Sequence, residues 1–331
     1  MSEYRSLTFE EILPYLSQPA DTLVLFHRNP DADAVGSAFA MKLVLTDLGS
    51  RAFCVCADEI PDRLRFLTDG IQESVLPEAI PADFEVARIL SVDSASPSQL
   101  GALWEMFEGQ IDLMIDHHAM NEPYADHYIR PEAAATGEIL FDLVKQLATD
   151  GYVTITDPLC MALYAAISGD TGGFCYANVT PETHMRAAEL MASGIDCADI
   201  NHRLFHSYSM EQLRARAAGI SNMQLFADGR VAVITFPYAI KAALGLKDEH
   251  LDTLVEVARG LQGVRVAAAI RQSEGGIYRV SMRSSCHVDV AAICATFGGG
   301  GHVKAAGCTI TSDRGMEAIV DMVAEALVAA L

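Results

Sequence analysis

Positive charge is scarce in this sequence: 23 lysine and arginine side chains stand against 44 aspartates and glutamates, a formal net charge of −21 over 331 residues. A surface with so few cations is unsuited to tracking a long polyanion, because nonspecific affinity for nucleic acid comes mostly from neutralising backbone phosphates. A small phosphorylated substrate held by a few local cations or metal ions remains compatible. Long apolar runs are missing too, and none reaches the ~20 residues that a bilayer-spanning helix needs. The opening stretch MSEYRSLTFEEILPYL lacks the basic-then-apolar layout of a signal peptide, so a soluble, cytoplasmic protein is expected. Eight cysteines at 54, 56, 160, 175, 197, 286, 294 and 308 include no CxxC pair. They read as reduced cysteines packed in cores like small hydrophobes, not as a disulfide framework or a zinc site. Internal repeats and low-complexity tracts are absent.

What is present is a globular mixture, 51% hydrophobic and 20% charged, in a length that suggests two domains. Compact apolar runs at 22–26 (TLVLF), 52–56 (AFCVC), 86–92 (VARILSV) and 111–115 (IDLMI) read as buried strands. Helical patterns lie at 34–48 with Gly49 as a stop, at 97–107, 136–149 and 157–168, and at 181–193 between Pro181 and Gly194. Buried strands alternating with helices predict an α/β domain, a parallel sheet with helices on both faces. From 196 to 221 the pattern is helical and more charged, as in a connector. Beyond it, hairpin signals at Asp228-Gly229 and Gly275-Gly276 predict antiparallel strands, and a helix at 313–330 closes a smaller α+β domain with a mixed sheet. The expected division is a first domain over 1–190, a helical connector over 191–221 and a second domain over 222–331.

Ligands of such parallel sheets bind beyond the carboxyl ends of the strands, and the polar residues fall there. The first strand runs into HRNPDAD (27–33), the third into Asp93 and the fourth into Asp116-His117-His118, while a helix leads into Asp170 in SGDTGGF (168–174). His27 with Asp31 and Asp33 offers imidazole and hard oxygen ligands suited to Mn²⁺ or Mg²⁺; the alternative is a polar loop with an aspartate helix cap. Asp93 or Asp170 alone would read as a cap or turn acid. The adjacent histidines of LMIDHHA (113–119) raise a separate question, because successive strand side chains point to opposite faces. Either they close a strand as surface polar residues, or each meets something different in a site. As a set, these carboxylates would repel one another in one crevice, and divalent cations are the natural remedy. Two metals about 3.5–4 Å apart can share a hydroxide nucleophile and stabilise an in-line displacement at phosphorus.

In the second half, GGGGH (298–302) sits between the helix-like HVDVAAICATF and VKAAG. Its glycines can take positive φ and offer N–H groups to a phosphate, with His302 as a polar tip. The alternative, a flexible linker, fits poorly inside a domain. His127, His184, His202, His206, His250 and His287 lie on connectors or polar faces and read as ordinary surface residues; Trp104 and the methionines read as core.

HRNPDADAVGS (27–37), the VDS around Asp93, DHH at 116–118 and SGDTGGF resemble the four successive motifs of the DHH phosphoesterases. That superfamily includes RecJ exonucleases, exopolyphosphatases and family II inorganic pyrophosphatases. The motif series spans roughly residues 20–180 and is specific as a set. RVSMRSSCHVDVAAICATFGGGGHVKAAGC (279–308) resembles the first type of DHH-associated domain, and the whole is most similar to the bacterial nano-RNase (oligoribonuclease) branch, which also acts as a 3′-phosphoadenosine-5′-phosphate (pAp) phosphatase. The resemblance implies a phosphoesterase domain over 1–190 and a substrate-binding domain over 222–331. It implies that His27, Asp31 and Asp93 hold one Mn²⁺ and that Asp33, Asp93, His117 and Asp170 hold a second, with Asp93 bridging. His118 would face the scissile phosphate, and Asp116 would orient the histidines. Arg283, Ser284, Gly298, Gly299, Gly300, Gly301 and His302 would grip a terminal phosphate or base.

The implied enzyme is a Mn²⁺-dependent hydrolase, with Mg²⁺ as a substitute, in a cleft closed at both ends by phosphate contacts. It would cleave very short oligoribonucleotides and linear dinucleotides such as pApA, and release phosphate from pAp. No membrane and no long nucleic acid is an expected partner, and a homodimer is an open option. Two other functions remain open: a pyrophosphatase or short-chain polyphosphatase using the same metal pair, and a nucleotide sensor without turnover, against which the full motif set argues.

Overall fold

Five short strands, β1 (Thr22–Leu25), β2 (Ala52–Val55), β3 (Arg88–Val92), β4 (Leu113–Asp116) and β5 (Asp126–Ile129), form a parallel sheet in the order β2-β1-β3-β4-β5 in the computed structural model, which describes residues 4–331. The first three residues of the expected first domain lie outside the described residues. Adjacent β1 side chains serve two cores. Val24 and Phe26 pack with the helices Ala32–Asp47, Thr136–Thr149 and Asp157–Asp170; Leu23 and Leu25 pack with Leu100, Leu103 and Met114 on the other face. Cover on both faces explains why the strands read as continuous apolar runs, and it yields the α/β class expected from them.

The chain divides into two compact units, Met1–Ser207 and Tyr208–Leu331. Within the charged helical stretch, Cys197–Asn201 and the π-helical turn His202–His206 belong to the first unit and Met210–Ser221 to the second. The second unit holds a six-stranded sheet made of β6 (Met223–Phe226), β7 (Val231–Phe236), β8 (Val266–Ser273), β9 (Ile277–Ser284), β10 (Gly300–His302) and β11 (Ala305–Thr311). Their order is β10-β11-β9-β8-β7-β6, antiparallel except for the parallel pair β7–β8. Both hairpin signals are realised, with Asp228 and Gly229 in the left-handed region between β6 and β7. Helices Val290–Thr296 and Gly315–Ala329 pack on one face. On the other face, Met210–Ser221 and Leu254–Arg259 build an apolar core with β7 and β8, and no residue of β9 or β11 joins it. Half of that face therefore lacks an apolar cover.

Several elements differ from expectation. The helix expected at 97–107 breaks at Gly101, whose φ of +59° separates Pro97–Leu100 from Ala102–Phe107. β5 and the helix Phe9–Leu16 were not anticipated; β5 (DHYI) is a half-buried edge strand with too little apolar character to announce itself. Among the cysteines, 54, 56, 160, 294 and 308 are buried, but Cys175 is exposed. The methionines are not uniformly core, since Met106, Met120, Met185, Met191 and Met210 are exposed. Among the described residues, no helix is long and apolar enough to cross a membrane.

Candidate metal centre and substrate-binding residues

After β1 the chain turns through Asn29, at φ +51°, with its N–H on Asp58 Oδ2 at 2.8 Å. The next acid, Asp31, caps the helix Ala32–Asp47 by accepting from the N–H groups of Asp33 and Ala34, both at 3.0 Å. The capping reading is thus correct, but the same carboxylate also stands 3.7 Å from His27 Nε2. His27 places Nδ1 2.8 Å from the Arg28 carbonyl, which directs Nε2 at Asp31 and at Asp93 Oδ2, 3.6 Å away.

Asp93 follows β3 with φ +53°, a conformation that non-glycine residues rarely adopt and that clusters at functional sites. It is held there by its N–H on the Ile115 carbonyl (3.0 Å) and by the Thr136 hydroxyl donating to Oδ1 (3.0 Å). Asp33 is almost fully buried and accepts from the Thr136 N–H (2.7 Å), the Gly137 N–H (2.9 Å) and the Ser37 hydroxyl (2.9 Å). Asp170 ends the helix Asp157–Asp170, which reaches the site because small residues let it approach Ala32–Asp47. A Cβ on Gly36 would stand 2.4 Å from the Ala162 carbonyl oxygen, and one on Gly169 would stand 2.6 Å from Ala32 Cβ.

β4 ends at Asp116, so the two histidines lie just beyond the strand and its alternation no longer applies. Their rings come together, with centroids 4.7 Å apart, instead of facing opposite sides. What differs is the company each keeps. His117 turns Nδ1 to the Ala133 carbonyl (3.2 Å) and Nε2 to Asp170 Oδ2 (3.1 Å), with Asp33 Oδ2 and Asp93 Oδ1 each at 3.8 Å. His118 pairs through Nδ1 with Asp116 Oδ1 at 2.7 Å. Asp116 therefore orients His118, while the Ala133 carbonyl orients His117.

The electrostatics of the cluster are those of an acid excess. Burial raises the Asp33 carboxyl well above the usual range, and the charges of Asp93 and Asp170 raise it further. Burial also raises Asp170, outweighing the hydrogen bond from His117. Burial works against charge on the histidines, yet hydrogen bonds with Asp31 and Asp93 hold His27 well above its ordinary value, and Asp170 pushes His117 up to about 11. Asp31 and Asp93 are lowered despite burial, because His27 bonds to both. The protein's own groups neutralise the site only by protonating both imidazoles and leaving protons on carboxyls. One buried carboxylate oxygen beside it, Asp116 Oδ2, has no protein partner.

This donor set fits divalent metal. Ligand atoms lie within 4.8 Å of one another in three groups: His27, Asp31 and Asp93; Asp33, His117 and Asp170; and Asp93, His117 and His118. Oxygen and imidazole donors of this kind suit Mn²⁺ and Mg²⁺, and Asp93 is common to two groups. His127, His184, His202, His206, His250 and His287 belong to no such group among the described residues; His127 lies in β5 and His184 stacks on Phe174.

In the second unit the expected phosphate grip is only partly presented. Arg283 lies beyond the apolar core that the helix Leu254–Arg259 builds on one sheet face, and its Nε donates to Glu256 Oε1 of that helix at 2.8 Å. Ser284 points the other way: it is 5% exposed and its hydroxyl bonds the Cys286 carbonyl at 3.3 Å, so it offers nothing outward. Strand alternation separates the two neighbours. The glycine run is likewise not one open loop. The N–H groups of Gly298 and Gly299 close the helix Val290–Thr296 on the carbonyls of Ala295 (3.0 Å) and Cys294 (2.8 Å), while Gly300, Gly301 and His302 form edge strand β10. Only Gly298 and Gly301 have positive φ.

Sequence reasoning missed Thr136, which holds Asp33 and Asp93 at once. Its available signal was a hydroxyl residue followed by glycine at the start of a recognised helix. It also missed Glu256, whose pairing with Arg283 joins elements with no sequence pattern in common.

A parallel α/β sheet carrying an acid–histidine centre at its carboxyl edge fits a metal-dependent hydrolase. Residues 21–167 match the DHH family, N-terminal domain, and residues 232–329 match the DHHA1 domain; the chain belongs to the DHH family of phosphoesterases. It is 32% identical to the bifunctional oligoribonuclease and PAP phosphatase NrnA of Thermus thermophilus, over 91% of this chain and 88% of that one. It is 26% identical to the probable bifunctional oligoribonuclease and PAP phosphatase NrnA of Streptococcus mutans, over 87% and 89%. Among solved structures, an exopolyphosphatase-related protein from Bacteroides fragilis shares the fold with a TM-score of 0.87 at 22% identity, covering 97% of this chain and 95% of that one.

Proposed function

We propose that this hydrolase cleaves very short oligoribonucleotides and linear dinucleotides to mononucleotides and converts pAp to AMP and phosphate. The observation that carries this reading is the convergence of Asp31, Asp33, Asp93, Asp170, His27 and His117 on one crevice, with His118 aligned beside them by Asp116. His27, Asp31 and Asp93 would hold one Mn²⁺, and Asp33, Asp93, His117 and Asp170 a second, with Mg²⁺ as the substitute. Such a pair supplies charge neutralisation and an activated water for displacement at phosphorus. Thr136 keeps Asp93 and Asp33 in place. His118, its Nδ1 held by Asp116, presents Nε2 to the scissile phosphate, where an imidazolium would stabilise developing charge.

The first unit thus carries the chemistry, and the second recognises substrate through Arg283, β10 and His302. The names of the two bacterial relatives support the substrate class. A net charge of −21 supports the preference for short ligands. A cytoplasmic setting fits such substrates, and a homodimer is compatible with it. The test is a Mn²⁺ panel of pAp, pApA, a long RNA and pyrophosphate on wild type and His118→Ala. Release of AMP from pApA and of phosphate from pAp is expected; turnover of the long RNA alone would end the proposal. Preferred hydrolysis of pyrophosphate, unaffected by Arg283→Gln, would instead identify a phosphoanhydride hydrolase. Tight nucleotide binding without turnover would identify a sensor.

A further inference from the structure

Where the covered half of the second sheet meets the half without apolar cover lies an arrangement that the catalytic reading leaves unexplained. Arg271 on β8 and Arg279 on β9 are directly paired across the ladder, and Arg279 is paired in turn with Thr309 on β11. Like charges placed opposite each other weaken a sheet, so the pair calls for an anion. The protein supplies one only in part. Asp252 accepts from Arg271 Nη1 at 2.6 Å, and Asp248 accepts from Arg279 Nη1 at 3.4 Å while also bonding Lys241 at 2.5 Å. Both acids are substantially exposed, at 62% and 42% of their side-chain surface, so both pairs are solvated and exchangeable. Arg271 Nε remains buried with no partner, and Nη2 reaches Ser281 Oγ only at 3.4 Å.

Beside these groups lies an open groove of about 360 Å³, lined by Arg271, Arg279, Ser281, Gly298, Gly299 and Thr309 among others. The two arginines that line it belong to a network of three cations, Lys241, Arg271 and Arg279, and two acids, in a chain whose overall balance is strongly acidic. We propose that this groove is a second phosphate subsite, built on Arg271 and Arg279 instead of Arg283 and β10 and bordered by Gly298 and Gly299. Arg271 and Arg279 bind a phosphate group of a short nucleotide, and Asp248 and Asp252 occupy the arginines in its absence. Guanidinium forks suit phosphate oxygens better than the single carboxylate contacts they now make. Exchange against two resident acids would admit a compact, highly charged phosphate group and disfavour weaker anions. The inference takes from the proposed function only that the ligands are short and phosphorylated.

Binding can be read without turnover by calorimetry in chelator, which removes any metal that would hold phosphate in the first unit. With pApA as probe, Arg279→Gln should weaken binding at least tenfold, and Asp252→Asn should strengthen it by removing a competitor. Arg279 is about half exposed, so its replacement should leave the melting temperature unchanged; Arg271→Gln serves as a second variant if it folds. Adenosine should bind far more weakly than AMP. Unchanged affinity in Arg279→Gln, unchanged or weaker affinity in Asp252→Asn, or equal binding of adenosine and AMP would each overturn the subsite. None of these outcomes depends on hydrolysis, so failure here is distinct from failure of the proposed reaction.

Discussion

The two units handle charge in opposite ways. In the first, acids and histidines gather at the edge of a sheet covered on both faces and are fixed by backbone or side-chain partners, as the Thr136 and Gly137 N–H groups hold Asp33 and the Ala133 carbonyl holds His117. In the second, arginines lie on a sheet face that helices cover only halfway, and each is paired with a partly solvated acid. Burial makes the first site precise but lets it neutralise itself only by taking up protons. Exposure makes the second exchangeable. A reaction at phosphorus requires fixed groups around the reacting atom, whereas recognition of a phosphate tolerates contacts that are made and broken.

The hardest blow to this contrast would come at Asp93, which is common to two of the three ligand groups. Asp93→Ala should abolish Mn²⁺-dependent hydrolysis and remove high-affinity Mn²⁺ binding in calorimetry, while nucleotide binding measured in chelator stays as in wild type. Retained Mn²⁺ binding would mean that the bridging role is wrong. Next in size is His118→Ala, expected to lower kcat by about 10²–10³-fold, the usual cost of one oxyanion-stabilising donor. Metal affinity should not change with it. Asp116→Asn acts through His118 and should cost less, about 10–100-fold, and shift the alkaline limb of the kcat pH profile to lower pH, because, despite burial, Asp116 holds the His118 imidazole above its ordinary value. A loss of Mn²⁺ binding in His118→Ala would turn His118 from a substrate contact into a ligand.

How much of this was legible in the sequence follows from the same contrast. Buried parallel strands have a one-dimensional signature, so β1 to β4 and the polar residues that follow β1, β3 and β4 could be read directly. The apposition of Asp170 with Asp33 could not be read from pattern alone. It depends on Gly36 meeting the Ala162 carbonyl and Gly169 meeting Ala32, contacts between helices far apart in sequence. The motif resemblance supplied that pairing. In the second unit the GGGGH stretch was visible, but its division into a helix cap at Gly298 and Gly299 and an edge strand beyond was not. Glycine permits both conformations and announces neither. Arg283 stood out by resemblance, while Arg271 and Arg279 did not, because a cross-strand pair exists only once the register is known.

A metal titration sharpens the comparison without any catalysis. Mn²⁺ at 100 times its Kd should stabilise the protein by about 2.7 kcal/mol, visible as a rise in Tm relative to chelator. If the two units melt separately, only the transition of the first should move. A shift confined to the second unit would place the metal elsewhere. Smaller again is Thr136→Val, which keeps the backbone N–H to Asp33 and deletes the hydroxyl to Asp93. Loss of such a supporting group typically costs about 10–100-fold in metal affinity or activity. The expectation is a weaker Mn²⁺ Kd and activity restored by excess metal; full activity at limiting Mn²⁺ would show that the left-handed backbone of Asp93 alone holds it.

The smallest effect lies in the glycine run and separates packing from recognition. A Cβ on Gly299 would stand 2.2 Å from the Gly307 carbonyl oxygen and 2.4 Å from Cys308 Cβ, so Gly299→Ala must displace β11. Overpacking of this kind costs about 1–3 kcal/mol, enough to lower Tm whether or not a ligand ever binds there. Gly300 has open space where a Cβ would go and no positive φ. Its replacement by alanine should leave stability within about 0.5 kcal/mol. If β10 accepts a phosphate at close range, Gly300→Ala will weaken pApA binding at unchanged Tm, since the added methyl occupies the ligand's space and no protein atom's. If binding is untouched, recognition in the second unit rests on the arginine face, and the glycines serve the turn from helix to strand.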